Sequence, residues 1–70
     1  MTVRVSINGR DHELDPGTTL AAAIEMIPGA PEGRGVAAAL DGAVVPRSQW
    51  EDTILSEGTR VELVVAVQGG

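Results

Sequence analysis

A chain of 70 residues without a cysteine has to hold its fold by apolar packing alone. Domains of this size build small cores, and many recruit disulfides or a metal. Neither is open here. No thiol exists for a disulfide or a zinc thiolate site, and the single histidine, His12, rules out clustered imidazole ligation. Trp50 is the only aromatic residue, so Val, Ile, Leu and Ala must supply the core. The same shortage removes a stacking platform for bases or sugars. Length allows one domain, residues 1–70, and no more.

Local patterns set the order of elements. Val3-Arg4-Val5-Ser6-Ile7 alternates with period two and predicts a half-buried strand with Val3, Val5 and Ile7 inward. Asn8-Gly9 suits a two-residue primed turn into a second strand, Arg10 to Leu14. Asp15-Pro16-Gly17 ends that strand. Thr18 or Thr19 can cap a helix over about Thr19 to Ile27, where Leu20, Ala23, Ile24 and Ile27 form one apolar stripe. Pro28 to Gly35, with two Pro and three Gly, reads as a loop. Val36 to Leu40 holds three alanines, which favour helix. It is too short for an independent helix, and Asp41-Gly42 followed by Ala43-Val44-Val45 makes it the first strand of a second hairpin. Residues 47–59 show no clean period, and the last strand runs from Arg60 to Ala66 with Val61, Leu63 and Val65 inward. The expected fold is a two-layer α+β domain, a mixed sheet of about five strands with one main helix on one face.

Ten acidic residues stand against five arginines, for a net charge of −5, and no lysine is present. Phosphate repulsion argues against a nucleic-acid partner. The charge favours basic protein partners and also serves solubility. Without lysine, no side-chain amine can accept an isopeptide bond. No stretch nears the roughly 20 apolar residues that span a bilayer, and no basic-then-apolar signal pattern opens the chain. A soluble cytoplasmic protein without a membrane partner is the expectation.

The last strand carries an anomaly. Val64, Ala66 and Val67 fall on or beyond the face that should be wet. Either another element covers that face, or strand propensity alone explains it, or it is an apolar docking surface. It leads into Gln68-Gly69-Gly70. A terminal Gly pair is a weak signal alone, but residues without a Cβ can pass a narrow channel. The α-carboxyl, with a pKa near 3.3–3.7, is an anion at neutral pH. A carboxylate is a poor electrophile and needs activation, as by attack on the α-phosphorus of ATP. The chain has no Gly-rich loop ending in Lys-Ser or Lys-Thr, so a partner must supply the ATP site. No nucleophile–base pair or metal cluster can be assembled from these residues, so the chain is not expected to be an enzyme or to bind a cofactor itself. From Val65 the five remaining residues extend roughly 17 Å, enough to place Gly70 inside a partner. Residues 67–70 are expected to be a flexible tail.

The tail Ala66-Val67-Gln68-Gly69-Gly70, the segment Val44-Val45-Pro46-Arg47-Ser48-Gln49-Trp50, and Ile7-Asn8-Gly9 together resemble the ThiS family, ubiquitin-like sulfur carriers of thiamine thiazole biosynthesis. The likeness covers essentially the whole chain. It implies a β-grasp fold with the first and last strands parallel at the sheet centre. It implies that a ThiF-like enzyme adenylates Gly70. Sulfur from a donor such as a cysteine desulfurase then replaces AMP, and a ThiG-like thiazole synthase takes the sulfur from the resulting thiocarboxylate. Gly70 is then the acyl position, Ala66, Val67, Gln68 and Gly69 the tail that partners grip, and the face around Val64 the docking surface. Arg47, Ser48 and Trp50 match the family pattern, with packing over the sheet edge the simpler role for Trp50 and a solvated charge the simpler one for Arg47. His12 is expected at the surface of its strand. The Pro- and Gly-rich stretch 28–35 departs from the family pattern. Carriers for molybdopterin, cysteine or tRNA thiolation share this tail chemistry, and a protein modifier or an inert interaction domain also remain open. Val-Pro-Arg-Ser and Ala-Val-Gln-Gly-Gly tilt the reading toward thiamine.

Overall fold

The structure, a computed structural model, describes residues 1–26 and 35–65. Strand β1, Val3–Ile7, pairs antiparallel with β2, Arg10–Leu14. Helix α1, Leu20–Glu25, follows. Strand β3, Val36–Leu40, pairs antiparallel with β4, Ala43–Val45. A 3₁₀ helix, Arg47–Asp52, leads to β5, Arg60–Val65. The sheet order is β2-β1-β5-β3-β4. β5 lies at its centre, parallel to β1 and antiparallel to β3. This is the β-grasp arrangement implied by the resemblance.

Alternation along the strands puts Val5, Ile7, Leu14, Ala38, Val61 and Leu63 on the inner face. Leu20, Ala23 and Ile24 of α1 close over them, and Trp50 and Leu55 complete the core. Full burial of Leu20, Ile24, Val5 and Val61 contributes about 1.5–3 kcal/mol each by transfer from water. Every buried side-chain polar atom among the described residues has a hydrogen-bond partner.

Both hairpins turn as their dipeptides dictate. Asn8 and Gly9 have φ of 51° and 82°, and Asp41 and Gly42 have 48° and 89°. These paired positive values are those of the primed turn whose twist matches antiparallel strands. Thr19 caps α1, its Oγ1 accepting from Ala22 N–H at 3.2 Å. The helix is shorter than the stripe suggested: it spans Leu20–Glu25 with Met26 as its C-cap. Ile27 and the stretch 28–34 lie outside the described residues.

The segment after β4 holds an element that periodicity missed. Pro46 opens the 3₁₀ helix, with Gln49 N–H donating to Pro46 C=O at 2.9 Å. A single turn or two of such a helix presents few residues to a core, and here only Trp50 is buried. Trp50 is a core residue, 5% exposed, whose Nε1–H donates to Val45 C=O at 2.9 Å. His12 is half-buried rather than surface-exposed, because its register opposite Val5 turns it to the inner face near the sheet edge.

Candidate functional site

The strand that leads to the tail is paired on both sides. On its β3 side the ladder runs in register from Leu40↔Val61 to Val36↔Val65. On its β1 side, backbone pairing stops when β1 turns at Asn8, after Asn8 N–H donates to Val61 C=O at 2.9 Å. The Asn8 side chain then continues the ladder. Its Oδ1 accepts from Leu63 N–H at 2.8 Å and its Nδ2 donates to Leu63 C=O at 3.2 Å. At the start of β5, Asp41 does the corresponding work from the β3 side. Its N–H donates to Arg60 C=O at 2.8 Å, and its Oδ1 accepts from Arg60 N–H at 3.0 Å. Each hairpin thus lends its turn residue to fix one end of β5. Sequence reasoning treated Asn8 and Asp41 as turn formers only. Their amide and carboxylate groups were the available signal, since either can mimic a peptide unit.

The outer face of the sheet, opposite α1, divides in two. On β2 and β1 it is polar, with Asp11, Glu13, Arg4 and Ser6, and Thr2 Oγ1 donates to Glu13 at 2.9 Å. On β5, β3 and β4 it is apolar toward the tail end. Val64 is 67% exposed and sits opposite Ala37; Val44 is 77% exposed and sits opposite Ala39. Among the described residues no helix or loop covers this strip, which removes one explanation of the Val64 anomaly. Water-exposed valines on either side of the alanines of β3 are a surface suited to being covered.

Of the expected site residues, the structure places Val64 on this strip. Ala66, Val67, Gln68, Gly69 and Gly70 lie outside the described residues. Arg47, Ser48 and Trp50 are on the other side of the molecule. With Ala21, Ile24, Glu25 and Glu51 they line a groove of about 450 Å³ between α1 and the 3₁₀ helix. The Arg47 guanidinium carbon lies 6.0 Å from the centre of the Trp50 ring, at the outer limit of a cation–π contact. The Val-Pro-Arg-Ser-x-Trp segment and the Val64 strip are therefore separate surfaces. No group of three or more His, Asp or Glu side chains among the described residues could hold a metal ion. No helix among them is long and apolar enough to cross a membrane.

Comparison with known proteins bears on this geometry. A family model, that of the ThiS family, matches residues 5–70. The chain belongs to the ThiS family. Among solved structures, thiamine biosynthesis protein ThiS from Geobacter metallireducens superposes with a TM-score of 0.72 at 20% sequence identity. The match covers 97% of this chain and 100% of that one. At such identity it establishes the shared β-grasp fold. Among curated proteins no sequence match was found. Family membership makes this chain one of the small carrier proteins of thiamine biosynthesis, and its central strand β5 ends at Val65, five residues before Gly70 in sequence.

Proposed function

We propose that this chain carries sulfur on the carboxylate of Gly70 for thiazole formation. A ThiF-like partner binds ATP and directs the Gly70 carboxylate oxygen at its α-phosphorus. Pyrophosphate leaves and an acyl adenylate forms. The outer sulfur of a donor such as a cysteine desulfurase persulfide attacks the acyl carbon and expels AMP, giving an acyl disulfide. A thiol then takes up the donor's sulfur as a disulfide and releases the C-terminal thiocarboxylate. A ThiG-like synthase consumes it. The thiocarboxylate sulfur is softer and more nucleophilic than a carboxylate oxygen, so the terminus becomes a sulfur donor. This chain supplies position rather than catalysis: a rigid β5, a reach of roughly 17 Å from Val65, and an apolar strip on which the partner seats. Ala66, Val67, Gln68 and Gly69 thread the partner's channel.

The exposed strip around Val64, running along β5 toward Gly70, is the observation that carries this reading. Complete covering of Val64 and Val44 supplies on the order of 1–2 kcal/mol each to docking. ATP–pyrophosphate exchange by the ThiF-like enzyme tests it. Exchange should depend on the full-length chain and vanish when Gly70 is deleted, while circular dichroism of the shortened chain stays that of the parent. Exchange that survives the deletion, or that the intact chain never supports, contradicts the proposal.

A further inference from the structure

The apolar strip is interrupted by one charge. Glu62 lies on the same face of β5, two residues before Val64 and directly opposite Ala39, which in turn faces Val44. Its side chain is exposed, and it makes no hydrogen bond or ion pair with another described residue. Arg60 is two residues further back on this face, beside the Asp41 turn and away from the tail, and the two side chains do not pair. We propose that Glu62 is the charge-recognition point of this surface, and that the adenylating partner presents an Arg or Lys side chain to it. The proposal rests on the docking role given above to the Val64 strip.

The reasoning is one of desolvation. A partner that covers Val64, Ala37, Ala39 and Val44 also withdraws water from the carboxylate in their midst. A buried carboxylate without a cation opposes binding strongly. With an Arg or Lys opposite, the same carboxylate fixes the register of docking and speeds encounter. A second copy of this chain is a poor occupant, because a two-fold contact centred on the strip sets Glu62 against Glu62. The net charge of −5 points the same way, toward a basic surface. A carrier with an apolar residue at this position fits a different partner surface, so Glu62 also discriminates between carriers.

Kinetics of ATP–pyrophosphate exchange with the ThiF-like enzyme, at several carrier and salt concentrations, test this. E62K should lower kcat/KM about 30-fold or more, through KM, and E62Q about tenfold or more, the range set by loss of one close interfacial charge pair. Rising salt should weaken the parent more than E62Q. D11K, on the polar edge of the same face, should change kcat/KM less than about twofold. Both positions are exposed, and circular dichroism confirms that each of the three variants is folded. If E62K stays within twofold of the parent while Val64→Asp is crippled, the Glu62 pairing is wrong and the docking strip stands. If Val64→Asp is also unaffected, the docking role of the strip falls with it.

Discussion

Replacing Asn8 tests how the tail-bearing strand is held. Asn8→Ala removes both hydrogen bonds to Leu63, which together contribute about 1–3 kcal/mol net. It also forces alanine to keep the turn's φ of 51°, adding on the order of 1 kcal/mol. Asn8→Gly loses the same bonds but tolerates the backbone. The expected losses are thus about 2–4 kcal/mol for Asn8→Ala and about 1–3 for Asn8→Gly. A domain of this length holds roughly 4–10 kcal/mol in all, so either loss is a large share. Urea unfolding followed by the emission of Trp50, the only aromatic residue and 5% exposed, reads it directly. Asn8→Asp adds a pH signature. One oxygen still accepts from Leu63 N–H, while the other faces the Leu63 carbonyl and repels it when ionised. Protonation relieves this, so the folded-state pKa rises above the unfolded value of about 3.9. The folded form then binds the proton more tightly, and the deficit present at neutral pH shrinks as pH falls through the raised value. If Asn8→Ala and Asn8→Gly both lie within about 0.5 kcal/mol of the parent, the side chain does not hold β5 and the reasoning fails.

Three further outcomes follow from particular contacts. Thr19→Ala removes the cap on Ala22 N–H and should cost about 0.5–2 kcal/mol in urea unfolding. Trp50→Phe loses the bond to Val45 C=O and leaves that carbonyl without the indole donor. Thermal unfolding by circular dichroism should show a loss of about 1–3 kcal/mol. Val64→Asp, on an exposed position, should leave the melting temperature within about 2 °C of the parent's yet lower kcat/KM for adenylation at least tenfold, the separation expected of a docking residue.

Much of the fold was legible because the strands obey simple rules. Period-two alternation located Val3–Ile7, and the Asn8-Gly9 and Asp41-Gly42 pairs located both hairpins. Val36–Leu40 is a strand despite its three alanines, because pairing with β4 and β5 on both sides outweighs their helical preference. The 3₁₀ helix stayed hidden, since one buried residue in six, Trp50, makes no period. His12 was misplaced because sequence gives its polarity but not the edge position that lets it sit half-buried. Of the site, Val64 was visible as an apolar residue on a wet face. Ala37, Ala39 and Val44 joined it only through cross-strand register. Asn8 and Asp41 were recognised as turn formers, but their grip on β5 depends on strands more than 15 residues apart in sequence, which local pattern cannot reveal.

The central claim, that Gly70 carries sulfur, is tested most directly by intact mass. The chain is incubated with ATP, the ThiF-like enzyme, a persulfide donor and a thiol reductant, and then weighed. The account predicts a gain equal to the replacement of one oxygen by one sulfur, localised to Gly70 and absent without ATP. An unchanged mass, with the same enzyme active on another carrier, contradicts it.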